Sequence, residues 1–136
     1  MAVLLLDTSV ASMLHPRKRG STFLAAYEPT LRNQILAVSF QTVAELYLWA
    51  EQHRWGAPQR AALHRFIGQF MVIPYELELA RTWARVMIQA RSAGRRLEAG
   101  DAWIAATAVH RSIPLVTHDK DLTQVPIAGL TIISHA

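Results

Sequence analysis

Acidic side chains recur just after short apolar segments of this 136-residue sequence. Asp7 directly follows the aliphatic run Val3–Leu6. Four other carboxylates come soon after an apolar segment or near the beginning of a helical one: Glu45, Asp101, Asp119 and Asp121. Oxygen ligands of this kind select Mg²⁺ or Mn²⁺, and one or two such ions can activate water against a phosphodiester. The pattern is therefore consistent with a metal-assisted hydrolytic site.

Each of these acids also has an ordinary structural explanation. Asp7 and Asp101 could each cap a following helix, a frequent role of aspartate. The segment Thr42–Glu45 fits the capping-box pattern S/T-x-x-E, in which the glutamate folds back onto its own helix terminus. If Ser39 is the cap instead, this glutamate lies a turn further in and is free to face the pocket. Asp119 could simply shape a turn.

The elements that would position these acids can be inferred from the hydrophobic pattern. Apolar segments typical of buried strands occur at Val3–Leu6, Ile35–Val38, Met71–Ile73, Leu115–Val116 and Leu130–Ile133. Helical spacing occurs at Gln41–Gln52, Pro58–Gln69, Glu76–Ala93 and Asp101–Arg111. Alternating strands and helices predict an α/β fold with a mostly parallel sheet of about five strands and helices on both faces. Ligands bind such sheets outside the C-terminal strand ends, so we expect the acids at one rim.

Composition limits the class of protein. The length fits one domain, residues 1–136, and 51% of the residues are hydrophobic, enough for a real core. No apolar run approaches the ~20 residues of a membrane span, and the N-terminus lacks the features of a secretory signal. We therefore expect a cytoplasmic protein with no membrane partner. The sequence has no cysteine, which excludes disulfides, thiolate metal ligands and cysteine nucleophiles.

The charge balance favours a polyanionic partner. Fourteen basic side chains, twelve of them arginine, stand against ten acids and give a net charge of +4. Arginine suits phosphate because its planar fork can donate two hydrogen bonds at once. Two basic stretches are candidates for RNA contacts, with a solvated loop as the alternative: Arg17, Lys18 and Arg19, and then Arg95 and Arg96.

Four segments together resemble those of a PIN domain, most closely the VapC-like ribonuclease toxins of bacterial toxin–antitoxin pairs. They are LLDTSV (Leu5–Val10), TVAELYLW (Thr42–Trp49), GDAWIAATA (Gly100–Ala108) and PLVTHDKDL (Pro114–Leu122). The resemblance covers nearly the whole chain and implies a three-layer α/β/α sandwich. It also implies an endoribonuclease that uses Mg²⁺ or Mn²⁺ to cleave RNA, forms a homodimer, and is silenced by a cognate antitoxin whose C-terminal segment covers the acidic pocket.

The positions that match the acidic pocket of the family are Asp7, Glu45, Asp101 and Asp119. The resemblance implies that Asp7 is the central metal ligand and that the others complete the pocket, directly or through water. Asp121 is an alternative to Asp119 as the nearer ligand. Three hydroxyls are placed to hydrogen-bond a carboxylate, a water or a phosphate oxygen: Thr8, Ser9 and Thr117. Ordinary turn and cap hydrogen bonds are the alternative role of all three.

Two other functions compete with this one. A phosphatase of the haloacid dehalogenase type needs a second acid two residues after Asp7, where Ser9 stands. A non-catalytic PIN-like module that binds RNA or protein without cutting is the stronger alternative. Clustered carboxylates argue against it, because a surface that only binds polyanions gains nothing from them.

Overall fold

All five predicted strands form in the computed structural model, which describes residues 1–17 and 23–136. The strands are β1 Val3–Leu6, β2 Ile35–Ser39, β3 Met71–Ile73, β4 Leu115–Val116 and β5 Ile132–Ile133. The helices in these residues are α1 Thr8–Met13, α2 Leu24–Leu31, α3 Phe40–Gln52, α4 Ala57–Ile67, α5 Leu77–Ser92, α6 Ala99–Arg111 and α7 Lys120–Thr123. The last strand is shorter than its apolar run, which begins at Leu130.

The strands form one sheet in the order β3-β2-β1-β4-β5, and every neighbouring pair is parallel. The predicted mostly parallel sheet is therefore confirmed and is fully parallel. In the register, Leu6 lies opposite Val38 on one side and Val116 on the other. The residues that follow these three consequently lie at the same C-terminal edge of the sheet: Asp7, Ser39 and Thr117.

Helices cover both faces of the sheet, as the predicted three-layer sandwich requires. Leu5 packs in a cluster with residues of α5 and α6, whereas Leu4 and Leu6 pack in a second cluster with residues of α1 and α2. Side chains alternate between the two faces of a strand, so β1 is buried on both sides and reads as a continuous aliphatic run. A third cluster joins α3 to α4.

Three helices were not predicted from the periodicity. α1 and α7 are only six and four residues long, too short for a periodic pattern, and α2 contains Pro29. The four predicted helices form within two residues of their expected ends, and Gly94 follows α5 with a φ of 69°, the left-handed conformation expected of a helix stop. Within the described ranges, no helix is both long and apolar enough to cross a bilayer.

Candidate active site

Asp7 stands at the C-terminal edge of the sheet, directly after β1, and is only 3% exposed. One carboxylate oxygen accepts hydrogen bonds from the Val10 amide (3.0 Å) and the Ser9 hydroxyl (2.6 Å). The other accepts from the hydroxyl of Thr117, which follows β4. The carboxylate therefore does cap α1, and this capping bond coexists with a position at the centre of the rim.

Burial raises the pKa of Asp7 above its ordinary value, because a charged carboxylate loses its hydration. The hydrogen bonds from Ser9, Thr117 and Val10 oppose that effect, and the nearby charge of Asp119 adds to it. A buried carboxylate with three hydrogen-bond donors and an acidic neighbour is suited to binding a cation.

Glu45 faces the same rim because Ser39, rather than Thr42, caps α3. The Ser39 hydroxyl accepts from the Thr42 amide at 3.1 Å, so the capping-box interpretation of Thr42–Glu45 is wrong and the alternative holds. The Thr8 hydroxyl donates to Glu45 Oε2, which ties the start of α1 to α3 across 37 residues of sequence. Glu45 is thereby held against the start of α1, the helix that Asp7 caps.

A glutamine missed in the sequence analysis fixes the other oxygen of this glutamate. Gln41 Nε2 donates to Glu45 Oε1 at 3.2 Å, and the Tyr75 hydroxyl donates to Gln41 Oε1 at 3.2 Å. The spacing of four residues on a helix was the available signal for the first bond. A Cβ on Gly100 would lie 2.9 Å from Gln41 Nε2 and 3.1 Å from Glu45 Oε1, so a larger residue there would displace the ends of both side chains.

Asp101 is the third residue of α6 and not its cap, because Glu98 occupies the cap position. The expectation that Asp101 caps this helix is wrong. Its pKa is raised to about 7, first by burial and then by other carboxylates. Those carboxylates are, in decreasing order of effect, Asp119, Asp7, Glu45 and Asp121. The fold thus brings all five predicted acids within electrostatic range of one another.

Asp119 caps the short helix α7. Its Oδ1 accepts from the Asp121 amide at 2.9 Å, and its own amide donates to Thr117 Oγ1 at 3.0 Å. Asp119 acts on both Asp7 and Asp101, whereas the exposed Asp121 acts more weakly on Asp101. Asp119 is therefore the more strongly coupled of the two acids.

The three predicted hydroxyls all contact carboxylates. Thr8 donates to Glu45, while Ser9 and Thr117 donate to Asp7. The Ser9 oxygen also accepts from the His118 amide at 3.1 Å, which holds the segment after β4 against the start of α1. Hydroxyl donors of this kind favour the ionised form of an acid and fix its orientation.

Tyr27 is a second residue that the sequence analysis missed. Its buried hydroxyl donates to the Thr117 carbonyl oxygen (3.1 Å), lies 2.7 Å from His118 Nδ1 and accepts from the His135 amide (3.0 Å). These contacts join positions at least 90 residues apart. No local pattern signals such a contact, because it depends on the packing of α2 against the end of β4.

Of the first predicted RNA-binding stretch, the structure describes Arg17. The Arg17 guanidinium lies 4.7 Å from the ring centroid of Trp55, which is itself buried in the cluster between α3 and α4. This cation–π contact holds Arg17 beside the cluster that joins α3 to α4. Lys18 and Arg19 lie outside the described residues.

The donor set fits a hard divalent cation in its chemistry, since it offers only oxygens and carries excess negative charge. The pKa of Asp101 is raised first by burial and then by that negative charge. Across residues 1–17 and 23–136, however, no three acidic or histidine side chains lie close enough together to hold an ion as they stand. The five acids are neighbours whose side chains would need to converge further to share one.

Comparisons with known proteins agree with this arrangement. The PIN domain family model matches residues 4–128. The VapC ribonuclease Y4jK of Sinorhizobium fredii is 30% identical over 138 residues, covering 97% of this chain and 96% of that protein. Ribonuclease VapC5 of Mycobacterium tuberculosis is 38% identical over 63 residues, a match that spans about half of each chain (46% and 47%).

Solved structures show the same fold. The crystal structure of VapBC-5, a toxin–antitoxin system of Mycobacterium tuberculosis, has a chain 28% identical to this one, with a TM-score of 0.72 and coverage of 98% of this chain and 99% of that one. The sheet order, the acids at its edge and the family match all lead to one assignment. This chain belongs to the PIN domain family, among its VapC ribonucleases.

Proposed function

We propose that this protein is a divalent-metal-dependent endoribonuclease, the toxin of a toxin–antitoxin pair. The observation that carries the proposal is the gathering of acids at the C-terminal edge of the sheet, where burial and four other carboxylates raise the pKa of Asp101 to about 7. Such crowding is costly unless a cation neutralises it, and perturbed acids cluster at functional sites. The ribonuclease names of the VapC relatives support the choice of RNA as substrate.

Asp7, Asp101 and Asp119 would hold Mg²⁺ or Mn²⁺, with Glu45 and Asp121 as further candidates. The ion would supply the charge that activates water and stabilises the leaving oxygen of the phosphodiester. The chain's own hydroxyls prepare its carboxylates for this task. Ser9 and Thr117 favour the ionised form of Asp7 and fix its orientation, and Thr8 fixes the orientation of Glu45. Without a cation the pocket would repel the phosphate.

The partners follow from the same relatives. We propose that residues 1–136 form a single PIN domain that works in the cytoplasm and is inhibited by a cognate antitoxin, as the VapBC-5 toxin–antitoxin structure suggests by likeness. A homodimer is supported by large apolar side chains left open to solvent, among them Leu77 (81% exposed) and Phe40 (50%). The Phe40 ring contacts that of Tyr75, two residues before Leu77, and a contiguous exposed apolar patch is typical of an interaction surface.

Cleavage of RNA by the purified protein tests the proposal. We expect cleavage with Mg²⁺ or Mn²⁺ and its loss in EDTA. Asp7→Asn keeps the size of the side chain, so the protein should fold while cleavage falls by more than roughly 100-fold, the upper range for residues that only support a ligand. Glu78→Gln, an exposed acid on α5, is the matched control and should cleave normally.

The alternative function, a non-catalytic module, predicts a different result. Such a module would bind RNA or a protein partner equally well with or without a divalent ion, and Asp7→Asn would have no effect. Wild-type activity in the Asp7→Asn protein would therefore reject the proposed mechanism. Circular dichroism and thermal unfolding of both variants would establish that loss of cleavage is not loss of fold.

A further inference from the structure

Three arginines line a cavity at the C-terminal end of α5. The cavity has a volume of about 240 Å³ and is formed by Met87, Ala90, Arg91, Arg95, Arg96 and Leu97. We refer to it as the arginine cavity. Its lining combines apolar side chains with three permanent positive charges, because arginine stays protonated in proteins.

The turn after α5 brings these arginines together. Gly94 takes a φ of 69° and its amide donates to the Arg91 carbonyl oxygen at 3.0 Å. The Arg95 amide then donates back to the Ala90 carbonyl oxygen at 2.9 Å. This left-handed helix stop folds the chain against the last turn of α5, so that Arg95 and Arg96 return to the side of the helix where Arg91 lies.

The positive charge of the arginine cavity is not compensated by a carboxylate of the described residues. In that part of the chain, the arginines that form ion pairs are Arg60 and Arg111, and none of the three in the arginine cavity is among them. Arg95 donates to the neutral side-chain amide of Gln124, at 3.4 Å. The partial negative charge of the helix end stabilises Arg91 but is confined to the last turn, so it leaves most of the charge unbalanced.

The arginine cavity adjoins the elements that carry the acids. Leu97 lines it and stands four residues before Asp101, in the segment that begins α6. Gln124, the partner of Arg95, ends α7, the helix that Asp119 caps. The arginine cavity therefore adjoins the segment that leads into α6 and the residue that ends α7.

We propose that the arginine cavity binds a backbone phosphate of the RNA, next to the phosphodiester that is cut. This inference rests on the proposed ribonuclease function and adds a site for the substrate. Guanidinium groups bind phosphate oxygens in pairs of hydrogen bonds, and the three charges offset the repulsion that the neighbouring acids exert on RNA. An acidic segment of a partner protein is the competing occupant, and RNA-binding measurements on charge-matched variants separate the two.

The test compares two variants that remove the same amount of charge. The cavity variant is Arg91→Gln, Arg95→Gln, Arg96→Gln. The control variant is Arg32→Gln, Arg54→Gln, Arg81→Gln, which removes three exposed arginines elsewhere. Both are made in the Asp7→Asn protein so that RNA stays intact, and affinity for a fluorescent single-stranded RNA is measured by anisotropy at several salt concentrations.

We expect the cavity variant to bind RNA about tenfold or more weakly and the control variant to bind within about twofold of the parent. The slope of log K against log salt should become shallower by roughly 0.7 for each phosphate that the protein no longer neutralises. An equal decrease of affinity in both variants, or a decrease in neither, would overturn the inference. So would a cavity variant that binds RNA normally and is weakened only toward an antitoxin.

A neutral methylphosphonate placed at successive positions of the RNA locates the phosphate that is bound. One position next to the cleaved bond should weaken binding to the parent protein but leave the cavity variant unaffected, because the two changes remove the same interaction. Cleavage by the wild-type protein decides the proposed function separately. If RNA binding depends on the arginine cavity but the wild-type protein does not cleave RNA, the ribonuclease function is rejected and the phosphate site is retained. If the wild-type protein cleaves RNA but the cavity variant binds RNA normally, the phosphate site is rejected and the ribonuclease function is retained.

Discussion

Asp101 is the carboxylate whose pKa the fold raises to about 7. Burial raises its pKa first, and four carboxylates from other parts of the chain raise it further, to about 7. In the unfolded chain the same group titrates near 3.8. The folded protein therefore binds an additional proton between these two values, and that proton is linked to stability.

The linkage predicts that the metal-free protein becomes less stable as pH rises from about 4 to about 7. A folded pKa above the unfolded one means that the ionised form opposes folding; the penalty is absent below the unfolded pKa and complete above the folded pKa. The shift at Asp7 has the same sign. Urea unfolding in EDTA at pH 5, 6, 7 and 8 would measure the trend.

Asp101→Asn should flatten this pH dependence, because the side chain no longer titrates. Glu78→Gln should leave the trend as it is in the wild type. A free energy of unfolding that rises from pH 5 to pH 8 in the wild-type protein would contradict the carboxylate crowding, and with it the main support for a cation site.

Sequence alone identified the acids of the rim but not what holds them. Asp7, Glu45, Asp101 and Asp119 each followed a recognisable segment, and the structure brings them into one electrostatic group. Tyr27 was missed because its contacts span 90 to 108 residues, whereas Gln41 was missed although its spacing of four residues from Glu45 was a local signal. The role of Glu45 was left open for a different reason: Ser39 and Thr42 are both good caps, and only packing decides between them.

At the scale of elements, the approach of α6 to α3 shapes the site. Gly100 lies in the first turn of α6, where glycine costs about 0.5–1 kcal/mol relative to alanine. A side chain there would meet the flexible ends of Gln41 and Glu45 at 2.9 and 3.1 Å. Gly100 is thus a residue of low helix propensity at the contact between two acid-bearing helices, α3 and α6.

Gly100→Ala should leave the thermal stability nearly unchanged while lowering RNA cleavage by about tenfold, the scale typical of residues that orient a metal ligand. The added methyl displaces two side-chain ends without disturbing backbone, and the gain in helix propensity offsets part of that cost. Melting temperature and cleavage rate, measured on the same preparation, would separate the two effects.

Gly56→Ala is the matched control for this substitution. Its Cβ would also meet a flexible amide end, Gln59 Oε1 at 3.2 Å, but at the start of α4 and away from the acids. Full cleavage activity in Gly100→Ala would show that Glu45 tolerates displacement. A large drop in melting temperature would show instead that the contact is structural.

The strands and the longer helices were predictable because burial imposes a period on the sequence. β1 is aliphatic throughout since both of its faces are covered, and α3 to α6 each carry an apolar stripe. Three helices were not predicted: α1 and α7 span fewer than two turns each, and α2 contains a proline. Short helices are fixed by their caps and their packing more than by periodicity.

At the scale of the whole molecule, Tyr27 links three distant segments. Its hydroxyl contacts the Thr117 carbonyl oxygen, the His118 ring and the His135 amide, so α2, the end of β4 and the last residues of the chain meet at one oxygen. The Thr117 hydroxyl, in turn, donates to Asp7. Tyr27 is thus connected to Asp7 through Thr117, which uses its carbonyl oxygen for the first contact and its hydroxyl for the second.

Tyr27→Phe should lower the free energy of unfolding by about 1–3 kcal/mol, because it leaves buried polar groups without a partner. Tyr47→Phe removes a hydroxyl that contacts His64 at an exposed position and should change stability by much less. Urea unfolding of the two variants gives the comparison. Equal effects would mean that the Tyr27 hydroxyl contributes no more than a surface group.

The bond between Thr117 and Asp7 spans 110 positions of the chain, and it joins the first strand to the fourth. Loop closure over such a distance comes late in folding, and a ribosome makes only about 5–20 residues per second. A growing chain that already contains Asp7 still lacks Thr117, whose hydroxyl completes the hydrogen bonds of the Asp7 carboxylate. Synthesis itself therefore delays completion of the acidic site by several seconds after Asp7 is made.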